Sequence, residues 1–152
     1  MKYLITLFAL LLSANIYCQE LYKNSLAPMV QLDSYSWGAR YERRGESIGC
    51  YLYAIKGDYY RNPSGINDET SVGAGLLMMP QYWEYPYAPA ITMGFNYSWY
   101  TYYESSEPFA ETHADMPVSL DLGLSAQHGR VNFGINADCV KWRFMLFVGV
   151  NF

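Results

Sequence analysis

The sequence predicts an all-β protein, an antiparallel up-and-down transmembrane β-barrel of about eight strands, and three features of its 152 residues predict it. From Tyr35 onward apolar residues fall on alternate positions, the period of extended strands whose two faces meet different surroundings. The apolar faces so defined carry no charge, while the opposite faces carry Gly, Ser, Asn and Thr with a scatter of charges of both signs. Past the N-terminal segment, no apolar run reaches the ~18 residues of a membrane-spanning helix, so a bilayer would be crossed with strands.

The elements follow in chain order. Met1–Lys2, an apolar stretch from Leu4 to Leu12 and the more polar Ser13 to Gln19 have the three-part layout of a cleaved secretory signal peptide. The apolar stretch is about half the ~20 residues that an anchor would need. Tyr17 stands where a lipoprotein would place a small residue before Cys18. Cleavage after Cys18 is expected, with residues 1–18 as signal and 19–152 as one domain. Export then leaves Cys50 and Cys139, which the strand reading sets at opposite ends of the structure and therefore unpaired.

Leu21 to Leu32 alternates poorly and contains Pro28. It is assigned a weak strand, because seven clear strands are an odd number and a partner for the C-terminal strand leaves no open edge. Of the seven, the first sets Tyr35, Trp37, Ala39 and Tyr41 against Ser36, Gly38, Arg40 and Glu42. The second sets Tyr51, Tyr53 and Ile55 on the apolar face against Cys50, Leu52, Ala54, Lys56 and Asp58, and it is the least clean. Val72 to Met78, Pro89 to Tyr103, Val118 to Leu124, Val131 to Ala137 and Trp142 to Phe152 each alternate with small polar partners. Aromatics gather at strand ends, as in Tyr59–Tyr60, Tyr82–Trp83 and Tyr102–Tyr103, where interfacial girdles belong.

Small polar faces with matched charges suit a narrow interior. Arg40, Lys56, Arg130 and Arg143 are expected to face Glu42, Asp58, Asp121 and Asp138 there as a plug of ion pairs. An eight-stranded barrel is just wide enough for side chains to fill, so a general porin is not expected.

The last positions, Trp142, Phe144, Leu146, Val148, Val150 and the terminal Phe152, resemble the C-terminal strand signal of bacterial outer-membrane β-barrels. In size the chain is similar to the small barrels of the OmpX and OmpA transmembrane type. The resemblance implies the outer membrane of a diderm bacterium, contact with outer-membrane lipid and lipopolysaccharide, and insertion by the barrel assembly machinery. It implies no single activity.

Barrels of this kind keep short turns in the periplasm and long loops outside. Arg44 to Ser47, Tyr85 to Ala88 and Gln127 to Gly129 are the short connectors. Asn62 to Thr70 and Ser105 to Asp115 are the long ones, with Asp138 to Lys141 on their side. Tyr60, Arg61, Asn62, Phe109, Glu111, His113 and Asp115 place exposed rings beside charged groups in these loops, the chemistry of a surface anchor for a ligand or partner protein.

Other classes find little support. The net charge is −4 and no basic cluster exceeds Arg43–Arg44, so nothing neutralises a phosphate backbone and a nucleic-acid partner is excluded. No CxxC, Cys/His cluster or HExxH spacing suggests a metal or cofactor. Some small barrels modify lipid A, which requires a nucleophile and a base near the outer leaflet. His128 falls in a short periplasmic turn, and His113 lies in an acidic loop where nothing orients Ser105 or Ser106, so no catalytic residue is assigned. The favoured reading is a structural or surface-interacting barrel with a filled lumen. Its rivals are a lipid A-modifying enzyme and a soluble periplasmic lipocalin-like barrel with its apolar face turned inward around a small hydrophobic ligand.

Overall fold

The computed structural model describes residues 23–32, 36–59, 66–80, 87–103, 111–113 and 117–152. The strands are β1 (Asn24–Gln31), β2 (Trp37–Arg43), β3 (Ile48–Tyr59), β4 (Ile66–Met78), β5 (Tyr87–Tyr103), β6 (Glu111–His113), β7 (Val118–His128), β8 (Val131–Asp138) and β9 (Arg143–Asn151). All neighbours pair antiparallel in the order β4-β3-β2-β1-β9-β8-β7-β5-β6, and β4 also pairs β5, which closes eight strands into a barrel. The three-residue β6 pairs Tyr100 to Tyr102 of β5, beyond the point where β7 begins.

The weak N-terminal segment is the closing strand. β1 takes β9 as its second partner, with Ser25 opposite Asn151 and Gln31 opposite Met145. That ladder skips Ala27 and Pro28, as fits a proline with no N–H to give. Stepping from partner to partner through Asn24, Arg43, Cys50, Leu76, Met93, Leu122, Ala137 and Phe144 returns to β1 at Leu32, a stagger of eight residues. Eight strands with that stagger tilt by ~36° and enclose a packed core, not a pore.

The start of β1 and the end of β9 meet at one mouth of the barrel, the terminal end, where Asn24 and Phe152 exchange backbone hydrogen bonds of 3.1 and 2.8 Å. The β7–β8 turn, Gly129–Arg130, lies there too, with Gly129 at φ 55, the left-handed conformation that a two-residue hairpin demands. At the far end the β8–β9 turn is held by Asp138, whose Oδ1 accepts the amides of Val140 at 3.0 Å and Lys141 at 2.9 Å. Trp142 closes this turn at φ 55. It therefore precedes the C-terminal strand instead of opening it, although its exposed side chain keeps the outward parity of Phe144, Leu146, Val148, Val150 and Phe152.

Strand lengths differ from the sequence expectation at the far end. Asn62 to Thr70 reads as a loop, yet β4 starts at Ile66, and Asn67 to Thr70 pair with both β3 and β5. Ser105 to Asp115 reads as a loop but contains β6. Where both faces of a strand are wet, alternation no longer distinguishes strand from loop. At the other end β5 begins at Tyr87, inside the connector expected at Tyr85 to Ala88.

The outer surface is apolar all round, through Leu26, Val30, Leu52, Val72, Leu76, Ile91, Phe95, Leu122, Leu124, Phe144 and Val150, each at least 38% exposed. The interior is mainly polar, with a smaller apolar cluster that includes Met29, Leu77 and Phe147, which runs against the lipocalin-like alternative: its apolar face would be the buried one. One strand inverts the expected facing. Tyr51, Tyr53 and Ile55 of β3 are buried inside, while Cys50, Leu52, Ala54 and Lys56 face out. Both faces of β3 are apolar enough to blind the pattern, but the hairpin register decides it. Tyr51 is the direct partner of Glu42 and Tyr53 of Arg40, and direct partners share a face. Glycine makes room for the two rings. A Cβ on Gly73 would sit 2.2 Å from the Tyr53 ring, and one on Gly94 would sit 2.5 Å from the Tyr51 hydroxyl.

Candidate functional site: the polar lumen

Near the terminal end Glu42 is the hub. Its Oε1 accepts from Arg40 Nε at 2.8 Å, and its Oε2 accepts from Asn132 at 2.9 Å and Arg44 at 3.3 Å. Arg44 spans the mouth from β2 to β5 and β7, donating to the Ala88 carbonyl at 2.7 Å and Ser125 at 2.8 Å. Asn132 also reaches Ser25 at 2.7 Å, and Asn151 ties Gln127 to the Gly129 carbonyl. Tied together through the Glu42 carboxylate, Arg40 and Arg44 can stay charged out of bulk water.

In the middle, the Arg40 guanidinium carbon lies over two rings, 3.9 Å from the centroid of Tyr51 and 4.4 Å from that of Phe147. This is cation–π contact in a desolvated setting, where such contacts are strongest. Beyond it the Tyr53 hydroxyl donates to Asp121 at 2.5 Å. Asn96 bridges Asp121 and Asp138, partners across β7 and β8, with bonds of 2.9 and 3.0 Å. Ser119 lies 2.8 Å from Asp138, and Ser71 and Ser98 extend the network to β4.

The far mouth is closed by ions. Glu69 of β4 pairs with Arg143 of β9 and lies 3.6 Å from Lys141 in the β8–β9 turn. Burial holds the Lys141 ammonium below its ordinary pKa, and the charge of Glu69 opposes that shift.

Of the charges expected inside, Arg40, Glu42, Asp121, Asp138 and Arg143 are buried in the lumen. Lys56 is not. It follows Leu52 and Ala54 on the outer face, 68% exposed, with Asp68 at 3.7 Å. Arg130 is exposed in the two-residue turn at the terminal end, where the chain reverses before it can point inward. The side chain of Asp58 lies outside the described residues, as do the signal segment and the loop candidates Tyr60, Arg61, Asn62, Phe109 and Asp115. Glu111 and His113 are described in backbone only, within β6. His128 packs on Tyr87 at the terminal end, with ring centroids 4.7 Å apart.

Interior residues that escape the sequence reading include Arg44, Glu69, Tyr51, Tyr53 and Gln127, the last placed in a connector although it is buried on β7. Arg44 and Glu69 were placed in connectors, yet each continues a parity already visible, Arg40-Glu42-Arg44 and Glu69-Ser71-Gly73. Extending the alternation by one step would find them. Tyr51 and Tyr53 require the hairpin register.

No family model matches the sequence, and no curated protein does. Solved structures do match. Ail, the attachment invasion locus protein of Yersinia pestis, is 14% identical over 87% of this chain and 100% of its own, with a TM-score of 0.54. The N-terminal β-barrel domain of Pseudomonas aeruginosa OprF is 12% identical over 86% and 98%, with a TM-score of 0.53. Neisserial surface protein A is 12% identical over 84% and 89%, with a TM-score of 0.50. Ail has also been solved with the heparin analogue sucrose octasulfate. At such identities the likeness is one of fold: the chain has the fold of the small outer-membrane β-barrels.

Proposed function

We propose that this chain is an exported outer-membrane β-barrel of a diderm bacterium, with the terminal end in the periplasm and the far end outside, whose role is structural or surface-interacting. The observation that carries it is the pairing of a continuous apolar outer band with a lumen closed by its own bonded side chains. The first needs a bilayer, and the second leaves little path for solutes. What the protein recognises then falls to the far-end loops, through Tyr60, Arg61, Asn62, Phe109, Glu111, His113 and Asp115.

The heparin analogue bound by Ail does not transfer readily. Residues 104–115 here include Glu104, Glu107, Glu111 and Asp115 against no Lys or Arg, the wrong charge for a polysulfate. A neutral or cationic partner, or lipopolysaccharide approached through bridging divalent cations, fits better. The signal peptide, 1–18, and insertion through the assembly machinery guided by Phe144 to Phe152 belong to the same reading.

Fractionation followed by SDS gels of unheated and boiled samples tests the location and the closed barrel together, and N-terminal sequencing tests cleavage before Gln19. Planar-bilayer recording should show no porin-scale conductance. A soluble periplasmic protein without a heat shift, or steady large channels, would sink the proposal. Replacing residues 105–115 with a short Gly/Ser linker should leave the heat shift intact and abolish surface binding.

A further inference from the structure

We propose that the outer wall at the terminal end binds an anionic glycerophospholipid, its phosphate held by Arg43 and Lys23 and an acyl chain lying in the oblique groove that starts beside them. The site rests on the outer-membrane reading above and adds to it a lipid class and a place. Arg43 ends β2, where it is exposed and shares the outward parity of Trp37, Ala39 and Tyr41, opposite buried Arg40 and Glu42. Lys23 is exposed as well, and its carbonyl accepts the Arg44 amide at 2.7 Å, which fixes its backbone beside Arg43. Arg43 is also the ladder partner of Asn24, which bonds to Phe152, whose exposed ring stands at the terminal edge of the apolar band. Rings of this kind mark the membrane interface, so the two cations stand at headgroup height. Among the described residues no carboxylate pairs with either cation: Glu42 is turned into the lumen, and neither Glu46 of the β2–β3 turn nor the Phe152 carboxylate lies within ion-pair distance.

The groove has the course of a chain leaving that headgroup. It encloses about 740 Å³, floored by Ala39, Ala54 and Ala74 and walled by Tyr41, Leu52 and Phe95. Its first row, Leu26, Tyr41 and Leu52, lies two residues from the row of Asn24, Arg43 and Cys50, about 7 Å along the strands. The Tyr41 hydroxyl donates to Asn24 at 2.7 Å, so the wall turns from apolar to polar between these rows. Leu52 pairs with Ala74 and Ala74 with Phe95, which carries the hollow across the strands to β5. Crossing in this direction climbs toward the far end, by eight residues in a full circuit, so the groove rises from the cations into the apolar band. Among the described exposed charges at this mouth, Lys23, Arg43 and Arg130 outnumber the acids Glu46 and the Phe152 carboxylate. A lipid phosphate supplies the missing negative charge, with oxygens suited to a guanidinium beside an ammonium. A headgroup of net negative charge gains more here than a zwitterionic one, whose own ammonium would be brought to a positive corner.

The test uses the whole mature barrel refolded in detergent with an equimolar mixture of phosphatidylglycerol and phosphatidylcholine of the same chains, and native mass spectrometry to identify the lipid retained. The wild type should retain phosphatidylglycerol in preference to phosphatidylcholine. Lys23→Gln/Arg43→Gln should lower that preference by roughly fivefold for each cation removed, the worth of a basic residue near an anionic lipid surface. Lys56→Gln takes one exposed charge from the outer face of β3, away from the groove mouth, and should leave the preference unchanged. Ala54→Phe fills the floor of the groove and should reduce retention with both cations in place. If the double variant does not refold, Ala54→Phe and Lys56→Gln decide between them, since both positions face outward and neither supports the lumen. A heat-shifting barrel that holds the two lipids equally, or whose preference survives the double variant or the filled groove, overturns the site and leaves the barrel reading standing. Loss of preference in Lys56→Gln to the same degree also overturns it, because net charge alone would then be the cause. A wild type without the heat shift overturns the barrel reading itself.

Discussion

Replacing Glu42 with Ala strips the lumen of its hub, and the cost can be worked from its contacts. The side chain is fully buried and accepts from Arg40, Arg44 and Asn132. The three donors are not equally harmed. Asn132 keeps Ser25, and Arg44 keeps Ser125 and the Ala88 carbonyl, but Arg40 loses the one acceptor it has among the described residues. Removing one partner of a buried ion pair costs ~3–5 kcal/mol, which is about two to three and a half powers of ten in the folding equilibrium. Glu42→Gln retains a carbonyl for Arg40 Nε and should cost about 1.5–3 kcal/mol, the range for hydrogen bonds to charged groups. The double variant Arg40→Met/Glu42→Leu removes the pair together and should lie closer to the wild type than Glu42→Ala does. Urea unfolding in detergent micelles, followed by tryptophan fluorescence and by gel mobility without boiling, reads these values as midpoint shifts at constant slope. If Glu42→Ala falls within ~0.5 kcal/mol of wild type, the range of an ordinary surface substitution, or if the double variant is as unstable as the single one, the lumen network is not what holds the barrel closed.

Three further outcomes are expected. Leu124→Arg puts a charge on the outer band, where Leu124 is 60% exposed; it should cost ~2–4 kcal/mol in lipid vesicles if that band lies at the bilayer midplane, and equal stability in vesicles would contradict the facing assigned here. Tyr53→Phe removes the 2.5 Å donor to buried Asp121 and should lose ~1–3 kcal/mol, with an unchanged urea midpoint as the contrary result. Phe152→Ala should barely alter refolding in detergent, because the side chain is 61% exposed and its contacts to Asn24 are made by backbone. It should nevertheless lower outer-membrane yield in cells, and normal yield would argue against an assembly signal.

The candidate site was legible in proportion to how different the two faces of each strand are. On β2 and β7, Arg40, Glu42 and Asp121 stand among Gly and Ser opposite rings and leucines, so alternation alone sends them inward. On β3 neither face wins, and Lys56 reads as interior only because Cys50, Leu52 and Ala54 were assigned to the polar side. Its true position, outward beside Asp68, follows from pairing with β2, a relation between residues far apart in sequence. Glu69 shows a second limit, because beyond the apolar band a strand has no face to hide and reads as loop.

Period, the absence of charge on one face and the small polar residues of the other point by themselves to a membrane-type barrel. They are local properties, repeated strand by strand, and each strand votes for the same answer. Which charges meet is decided only by closure. The stagger of eight residues sets the height at which β2 faces β9 and β4 reaches Arg143, and it brings Phe147 of β9 onto Arg40, whose other ring, Tyr51, comes from the β2–β3 hairpin. A sum of registers around a ring is fixed when the last strand finds the first, and no segment of the sequence contains it.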